Sequence, residues 1–281
     1  MTDALLSFSV IPSAAPSAAH FLILGGLSAM VMGAAKAGFA GSVGALAVPI
    51  LIYACGGHSA LALGMMLPML IVCDYVAVAY WRGRWDWRNV RMLLPGMALG
   101  IAAGSVVLWQ FLRIGRSAGG RETSNAALNL TIGAIALAFV GLQLYRRLRG
   151  GLTAFRPVTW HGLVAGTAAG VTSTLAHSAG AITTMYLLPQ EMPKQRYVAT
   201  TTLYYWIGNQ AKLLPYALLG QLNGEALSAA AGLLPAVVAG AALGFFLHHR
   251  VNQKIFTGVV YVLLAGVGGD LVVRSVLALW G

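Results

Sequence analysis

Charged side chains are scarce in this sequence of 281 residues. Asp, Glu, Lys and Arg together make up 9% of the chain, whereas an average soluble domain carries about 25% charged residues. So few charges cannot cover the surface of a soluble protein of this size, and 58% of the residues are hydrophobic. Several apolar runs reach the roughly 20 residues that a helix needs to cross a bilayer. Because a spanning chain must satisfy its own backbone hydrogen bonds, the sequence predicts an all-α polytopic membrane protein.

Cysteine and the common motifs of metal and catalytic sites are rare as well. Cys55 and Cys73 lie in or beside apolar segments and form no CxxC pair, which argues against a disulfide framework and a zinc site. The chain contains neither HExxH nor GxSxG, the motifs of zinc proteases and of serine hydrolases. We therefore expect no enzyme activity, no cofactor and no metal, and an intramembrane enzyme is the least favoured alternative.

The basic residues are concentrated in loops. The net charge is +11, but the Lys and Arg residues lie mainly in short loops between apolar runs, as in the positive-inside distribution of membrane proteins. This pattern is not a nucleic-acid patch. The loops at 82–91 and 147–158 are therefore predicted to be cytoplasmic, with both termini outside. The loop with Arg113, Arg116 and Arg121 is the exception, because it places three positive charges on the outer side.

The apolar runs occur twice in the same order. A Gly-rich stretch at about 20–55 and another at about 159–190 each precede three apolar helices. Each stretch has more residues than one membrane-spanning helix needs and fewer than two need, which predicts a pair of short helices joined by broken backbone. The six apolar helices are expected near 60–81, 90–111, 125–146, 196–219, 226–248 and 254–279. The predicted divisions are an N-terminal segment 1–19, a first repeat 20–146, a cytoplasmic basic linker 147–158 and a second repeat 159–281.

An internal sequence match supports this duplication. The first copy is Leu93-Leu94-Pro95 followed by Gly100 and Gly104, and the second, at identical spacing, is Leu233-Leu234-Pro235 followed by Gly240 and Gly244. Glycines four residues apart allow membrane helices to pack closely, so we expect them to mark helix contacts. Three spans after each Gly-rich stretch give the two repeats opposite orientations, as in many secondary transporters.

Ionisable side chains within apolar segments are costly and usually face a cavity or a partner. Lys36 lies at the centre of the first Gly-rich stretch, where we expect it to balance the charge of an anion; snorkelling to the interface is the alternative. Asp74 is expected either to pair with a lysine or to carry a coupling proton. His177 is either a structural histidine or a ligand and proton relay. Lys212 is the fourth such residue.

Polar residues near these four complete the predicted site. Ser42 of the first Gly-rich stretch aligns with Ser178 of the second, so two related turns are expected to converge on one ligand. The hydroxyls at 172–174 either bind that ligand or hydrogen bond to helix backbone, and the aromatic residues at 204–206 either face an organic tail or belong to the core or interfacial belt. The predicted substrate-binding residues are Lys36, Gly38, Gly41, Ser42, Thr174, His177, Ser178, Tyr205, Trp206, Asn209 and Lys212, and the predicted proton-coupling residues are Asp74 and His177.

Several linked motifs in both halves follow the order of a known family. They are Gly33-x-x-Lys36-x-Gly38-Phe39-x-Gly41, Leu67-Pro68-x-Leu70-x-x-x-Asp74, Ser173-Thr174-Leu175-Ala176-His177, Tyr186-Leu187-Leu188-Pro189-Gln190, Pro193-Lys194, and Asn209 with Lys212. This order resembles the sulfite exporter TauE/SafE family over nearly all of residues 20–280. The resemblance implies transport of sulfite, thiosulfate or an organosulfonate across a bacterial inner membrane.

We therefore predict a secondary transporter of a small sulfur-containing oxyanion that works by alternating access, with proton coupling as one option. An anion channel is the nearest alternative. The expected partners are the anionic substrate, the lipid bilayer and, if transport is coupled, protons, with no nucleic acid. The sequence leaves the choice of anion, the direction of transport and the oligomeric state open.

Overall fold

The computed structural model describes residues 10–37, 43–117, 120–150, 156–248 and 253–280. Within these ranges the chain forms α-helices and two short 3-10 turns, Val43–Leu46 and Leu188–Gln190, and no strand. The helices of the first half are α1 Ala18–Ala37, α2 Ala47–Ala54, α3 Ser59–Tyr80, α4 Trp87–Gly115 and α5 Gly120–Leu148. Those of the second half are α6 Thr159–Ala176, α7 Gly180–Leu187, α8 Lys194–Leu218, α9 Gly224–His248 and α10 Gln253–Trp280.

Six of these helices are long and apolar enough to cross a bilayer: α1, α3, α4, α5, α9 and α10. This confirms the prediction of an all-helical membrane protein. The set differs from the six predicted spans in one member, because it contains α1 and not α8, which corresponds to the span predicted near 196–219. α8 has 25 residues, about 37 Å at 1.5 Å per residue, yet it is not in the set. Its interior carries polar residues such as Asn209 and Lys212, both of which are buried. α8 is therefore a polar helix within an apolar bundle.

Each Gly-rich stretch forms one long and one short helix. α1 has 20 residues and α6 has 18, whereas α2 and α7 have eight each, or about 12 Å. The prediction of two short helices is thus right for the second helix of each pair and wrong for the first, which is as long as an ordinary span. The second pair is broken at 177–179; the corresponding part of the first pair falls at 38–42, outside the described residues.

Close packing between the halves is symmetrical. The most extensive contacts join α4 to α6 and α9 to α1, so the fourth helix of each half packs on the first helix of the other. A Cβ added at Gly104 would lie 2.8 Å from the Cβ of Thr174, and one at Gly244 would lie 2.6 Å from the Cα of Ala34. The predicted helix contacts at these glycines are therefore confirmed, because only a hydrogen atom fits in the space.

Polar contacts join chain segments at both ends of the bundle. At one end the Asp86 N–H donates to Thr200 Oγ1 at 2.8 Å, linking α4 to α8. At the other end Ser13 donates through its N–H and its hydroxyl to Glu225 Oε1, at 2.6 and 2.7 Å, and so ties the N-terminal segment to α9. The charged interior of the bundle lies between these ends, where α1, α3, α6 and α8 come together.

Candidate functional site

Asp74 of α3 joins α1 to α8. Its side chain is 0% exposed. One carboxylate oxygen forms an ion pair with Lys36 Nζ and the other accepts a hydrogen bond from Asn209 Nδ2. Both oxygens thus have a donor, as a buried carboxylate requires. Of the two predictions for Asp74, the structure shows the pairing with a lysine, and the partner is Lys36.

Lys212 lies three residues beyond Asn209 on α8 and is 0% exposed. Its Nζ donates to the carbonyl oxygen of Ser173 at 3.1 Å and to Ser173 Oγ at 3.0 Å, and it lies 2.9 Å from His177 Nδ1. The ion pairs among the described residues are Lys36 with Asp74 and Arg274 with Asp270, so Lys212 has none there. A buried ammonium without a carboxylate is costly. When both lysines are protonated, this cluster carries one more positive than negative charge.

His177 ends α6 with φ 47°, in the left-handed region that residues other than glycine rarely adopt. Its N–H donates to Ser173 O at 3.0 Å, which closes the last turn of the helix. The ring Nε2 lies 3.1 Å from the carbonyl oxygen of Leu63 on α3. Because a carbonyl only accepts, Nε2 carries the proton, and Nδ1 is left to accept from Lys212. The neutral imidazole therefore joins α6 to both α3 and α8.

One aromatic residue of α8 lies beside the ion pair. Lys36 Nζ lies 5.1 Å from the centroid of the Tyr205 ring, within the range of a cation–π contact. The Tyr205 hydroxyl is 2.5 Å from Thr183 Oγ1 and so connects this group to α7. Trp206 instead packs edge-on against the exposed Tyr75, with ring centroids 5.8 Å apart. Of the two aromatic residues that the sequence placed in the site, the structure thus places Tyr205 beside the Lys36–Asp74 pair.

Two N–H groups of α8 are buried without a hydrogen-bond partner in the described part of the chain: Trp206 Nε1 and Gln210 Nε2. The two residues are four apart and so lie on the same side of the helix. An unsatisfied buried donor costs about 1–3 kcal/mol, and such a group in a native structure calls for a water, an ion or another explanation. Both groups are donors, the kind of group that an oxyanion accepts from.

The structure brings together Lys36, His177, Tyr205, Asn209 and Lys212, with Asp74 between them. Thr174 does not join the cluster through its hydroxyl, because Oγ1 donates to Gly170 O at 2.9 Å within α6; this is the backbone-bonding alternative. Ser178 is buried, and its N–H donates to Thr172 O at 3.2 Å. Three further predicted binding residues, Gly38, Gly41 and Ser42, lie outside the described residues.

Sequence reasoning missed two contributors to the cluster, Tyr216 and the carbonyl of Leu63, and it left Ser173 out of the predicted binding residues although it considered the hydroxyls at 172–174. Ser173 supplies two of the contacts of Lys212, and it could have been found because it lies four residues before His177 on one face of a helix. Tyr216, four residues after Lys212, donates through its hydroxyl to Thr174 O at 2.6 Å and lies 3.5 Å from His177 Nε2. The carbonyl of Leu63 gives no sequence signal, since every residue carries one.

These features define a polytopic helical membrane protein with a buried, charged site among broken and polar helices. The described residues hold no group of three or more His, Cys, Asp or Glu side chains that could bind a metal ion. The family model described as sulfite exporter TauE/SafE matches residues 5–271, and the chain belongs to this family. Membership implies a membrane transporter of sulfite or related anions. Comparisons with curated proteins and with solved structures gave no match.

Proposed function

We propose that the protein is a secondary transporter of sulfite, thiosulfate or an organosulfonate, and that it works by alternating access in a bacterial inner membrane. The observation that carries this proposal is the charge imbalance of the central cluster, in which two lysines, Lys36 and Lys212, accompany one carboxylate, that of Asp74. A positive charge buried without a counterion is costly in the unliganded protein. An anionic substrate lowers that cost when it binds, so the cluster favours anions.

The anion makes its first contact with Lys212 in this proposal. Sequence reasoning assigned the charge balance to Lys36, but that lysine already has Asp74 as a partner. Among the described residues, the partners of Lys212 are the neutral Ser173 and His177. A hydrogen bond from its ammonium to an oxyanion contributes about 1.5–3 kcal/mol.

Asp74 provides a means of coupling transport to protons. When Asp74 accepts a proton, Lys36 loses its counterion and the cluster gains one unit of positive charge. Proton binding and anion binding then favour each other, which is positive cooperativity with a favourable coupling free energy between the two sites. We therefore infer that anion and proton move in the same direction. A steady flux that does not respond to an imposed pH gradient or a protonophore would overturn the coupling and leave the anion site in place.

Alternating access is supported by the symmetry of the helix contacts. α4 packs on α6 as α9 packs on α1, through glycines that bring the backbones together. If each broken pair returns to the side on which it starts, the three long helices that follow give the halves opposite orientations. Inverted repeats of this kind alternate access by rocking one set of helices against another around a fixed site. The broken pairs, α3 and α8 hold the site residues.

Counterflow in proteoliposomes tests the proposed function. Vesicles preloaded with unlabelled thiosulfate should take up labelled thiosulfate faster than empty vesicles, and the same design applies to sulfite and sulfonates. Lys212→Met should abolish this acceleration. Lys194→Met is the matched control, because Lys194 is exposed at the start of the same helix, and it should transport like the wild type. Uptake that preloading does not accelerate would contradict a carrier and favour a channel.

A further inference from the structure

A cavity of about 320 Å³ opens at the end of the bundle where the N-terminal segment meets the α4–α5 and α8–α9 connections. This volume is at the lower end of the ~300–1,000 Å³ range of small-molecule sites. None of the four ionisable residues of the central cluster lines it. The polar residues that line it include His58, Arg116, Arg121, Gln221, Asn223 and Glu225.

The side chains of this cavity carry an excess of positive charge. Arg116 and Arg121 are exposed, and neither forms an ion pair within the described ranges. Glu225 is the acidic residue of the lining, and Oε1 of its carboxylate is already held by the N–H and hydroxyl of Ser13. Three helices begin and two end here, so the helix dipoles nearly cancel. The two guanidinium groups therefore decide the sign of the potential.

The cavity is connected to the central cluster through the end of α8. Leu219 lines the cavity and lies seven residues beyond Lys212, about 10 Å along the chain at helical rise. The Gln221 N–H donates to the Tyr216 carbonyl at 2.9 Å. The hydroxyl of that tyrosine lies 3.5 Å from His177 Nε2. One continuous segment of chain therefore contacts both sites.

We propose that this cavity is a peripheral oxyanion site, an access vestibule that binds the anion before it reaches the central cluster or after it leaves. The inference rests on the proposed transport of a small oxyanion. It also explains why the loop with Arg113, Arg116 and Arg121 departs from the positive-inside distribution. Two of its three arginines line a site for an anion, where a positive charge increases the local concentration of the substrate.

A fluorescent reporter in the cavity tests the vestibule without relying on transport. Ala60 lines the cavity on the first turn of α3, so Ala60→Cys, in a Cys55→Ala, Cys73→Ala background, can be labelled with an environment-sensitive fluorophore. Titration with sulfite and with thiosulfate should give a saturable change in emission. The change should persist in Lys212→Met, because the central cluster is not needed for it.

The arginine variants then decide the assignment. Arg116→Gln with Arg121→Gln should weaken the apparent affinity for the anion at least about tenfold, the lower end of the effect of focused charge. Added salt should lower the apparent affinity of this double variant less than that of the wild type. Arg113→Gln is the matched control: this arginine lies over the Trp109 ring, 5.4 Å from its centroid, and does not line the cavity. It should bind like the wild type.

Three results overturn the vestibule: no saturable response, a response that the double arginine variant leaves unchanged, or a response that disappears in Lys212→Met. The third would report binding at the central cluster alone. A wild-type protein that shows the response but no counterflow would overturn the proposed transport and support the anion site, so the two failures are distinguishable. Both arginines are exposed, and their replacement should leave the fold intact.

Discussion

The two halves of the chain contribute unequal charges to the centre of the bundle. The first half supplies Lys36 and Asp74, which neutralise each other. The second half supplies Lys212, a cation whose partners among the described residues are neutral. A repeated element order therefore does not produce a repeated site. The first half thus holds a buried ion pair, and in our proposal the unbalanced lysine of the second half binds the anion.

The largest expected effect comes from breaking the balanced pair. Asp74→Asn should lower the free energy of unfolding in detergent by about 3 kcal/mol. We expect the lower end of the range for a broken buried ion pair, because the Lys36 side chain is 22% exposed. The double variant Lys36→Gln, Asp74→Asn removes both charges and should recover most of this loss, a coupling that a double-mutant cycle measures. If the double variant is as unstable as the sum of the single variants, the pair is not a structural unit.

The glycine contacts test whether the halves are equivalent in packing. A methyl at Gly100 would overlap the carbonyl oxygen of Thr167, and one at Gly240 would overlap that of Met30. Gly100→Ala and Gly240→Ala should each destabilise the protein by about 1–3 kcal/mol, as overpacking does. Gly141→Ala, where a methyl meets nothing within 4 Å, is the control and should be neutral or stabilising. Loss of stability in only one of the two variants would refute the symmetry of the contacts.

The smallest effect is expected at the exposed ion pair. Arg274 lies 2.7 Å from Asp270, and the two side chains are 72% and 42% exposed. Arg274→Met should change the free energy of unfolding by less than about 1 kcal/mol, as is usual for exposed pairs. Asp270 also keeps a hydrogen bond from the Tyr53 hydroxyl. If Arg274→Met lowers the free energy of unfolding as much as Asp74→Asn does, burial does not determine how much each ion pair contributes to stability.

Much of this architecture could be predicted because the free energy of moving a segment from water into the bilayer depends on the residues of that segment alone. The apolar runs predicted α3, α4, α5, α9 and α10, and the spaced glycines predicted the contacts of α4 and α9. The cost of burying charge also identified Lys36, Asp74, His177 and Lys212 as the residues of interest. In each case the spacing and type of residue along the chain were sufficient.

The partners of these residues could not be predicted, since they depend on how distant helices meet. Asp74 lies 38 residues from one partner and 135 from the other, and nothing in the sequence decides which lysine it pairs with. Sequence reasoning favoured Lys36 as the anion contact because it lies at the centre of the first Gly-rich stretch. The structure places Asp74 against Lys36 in space, and our proposal therefore moves that role to Lys212.

Ligand titration of Lys212→Met is the measurement that tests the central claim most directly. The ligand is the best binder found by thermal shift among sulfite, thiosulfate and sulfonates, since a ligand of the native state raises its stability. Lys212→Met replaces a buried charge with an apolar chain of similar length and should fold. Every protein titrated carries Arg116→Gln and Arg121→Gln, so that the proposed peripheral site contributes little. In this background the binding free energy of Lys212→Met should be weaker by at least ~1.5 kcal/mol, the lower end of a charge-assisted hydrogen bond. Lys36→Gln, Asp74→Asn should bind within a few-fold of the protein that keeps all three residues. Unchanged affinity in well-folded Lys212→Met would contradict the claim, and loss confined to the Lys36 variant would return the anion contact to the first half.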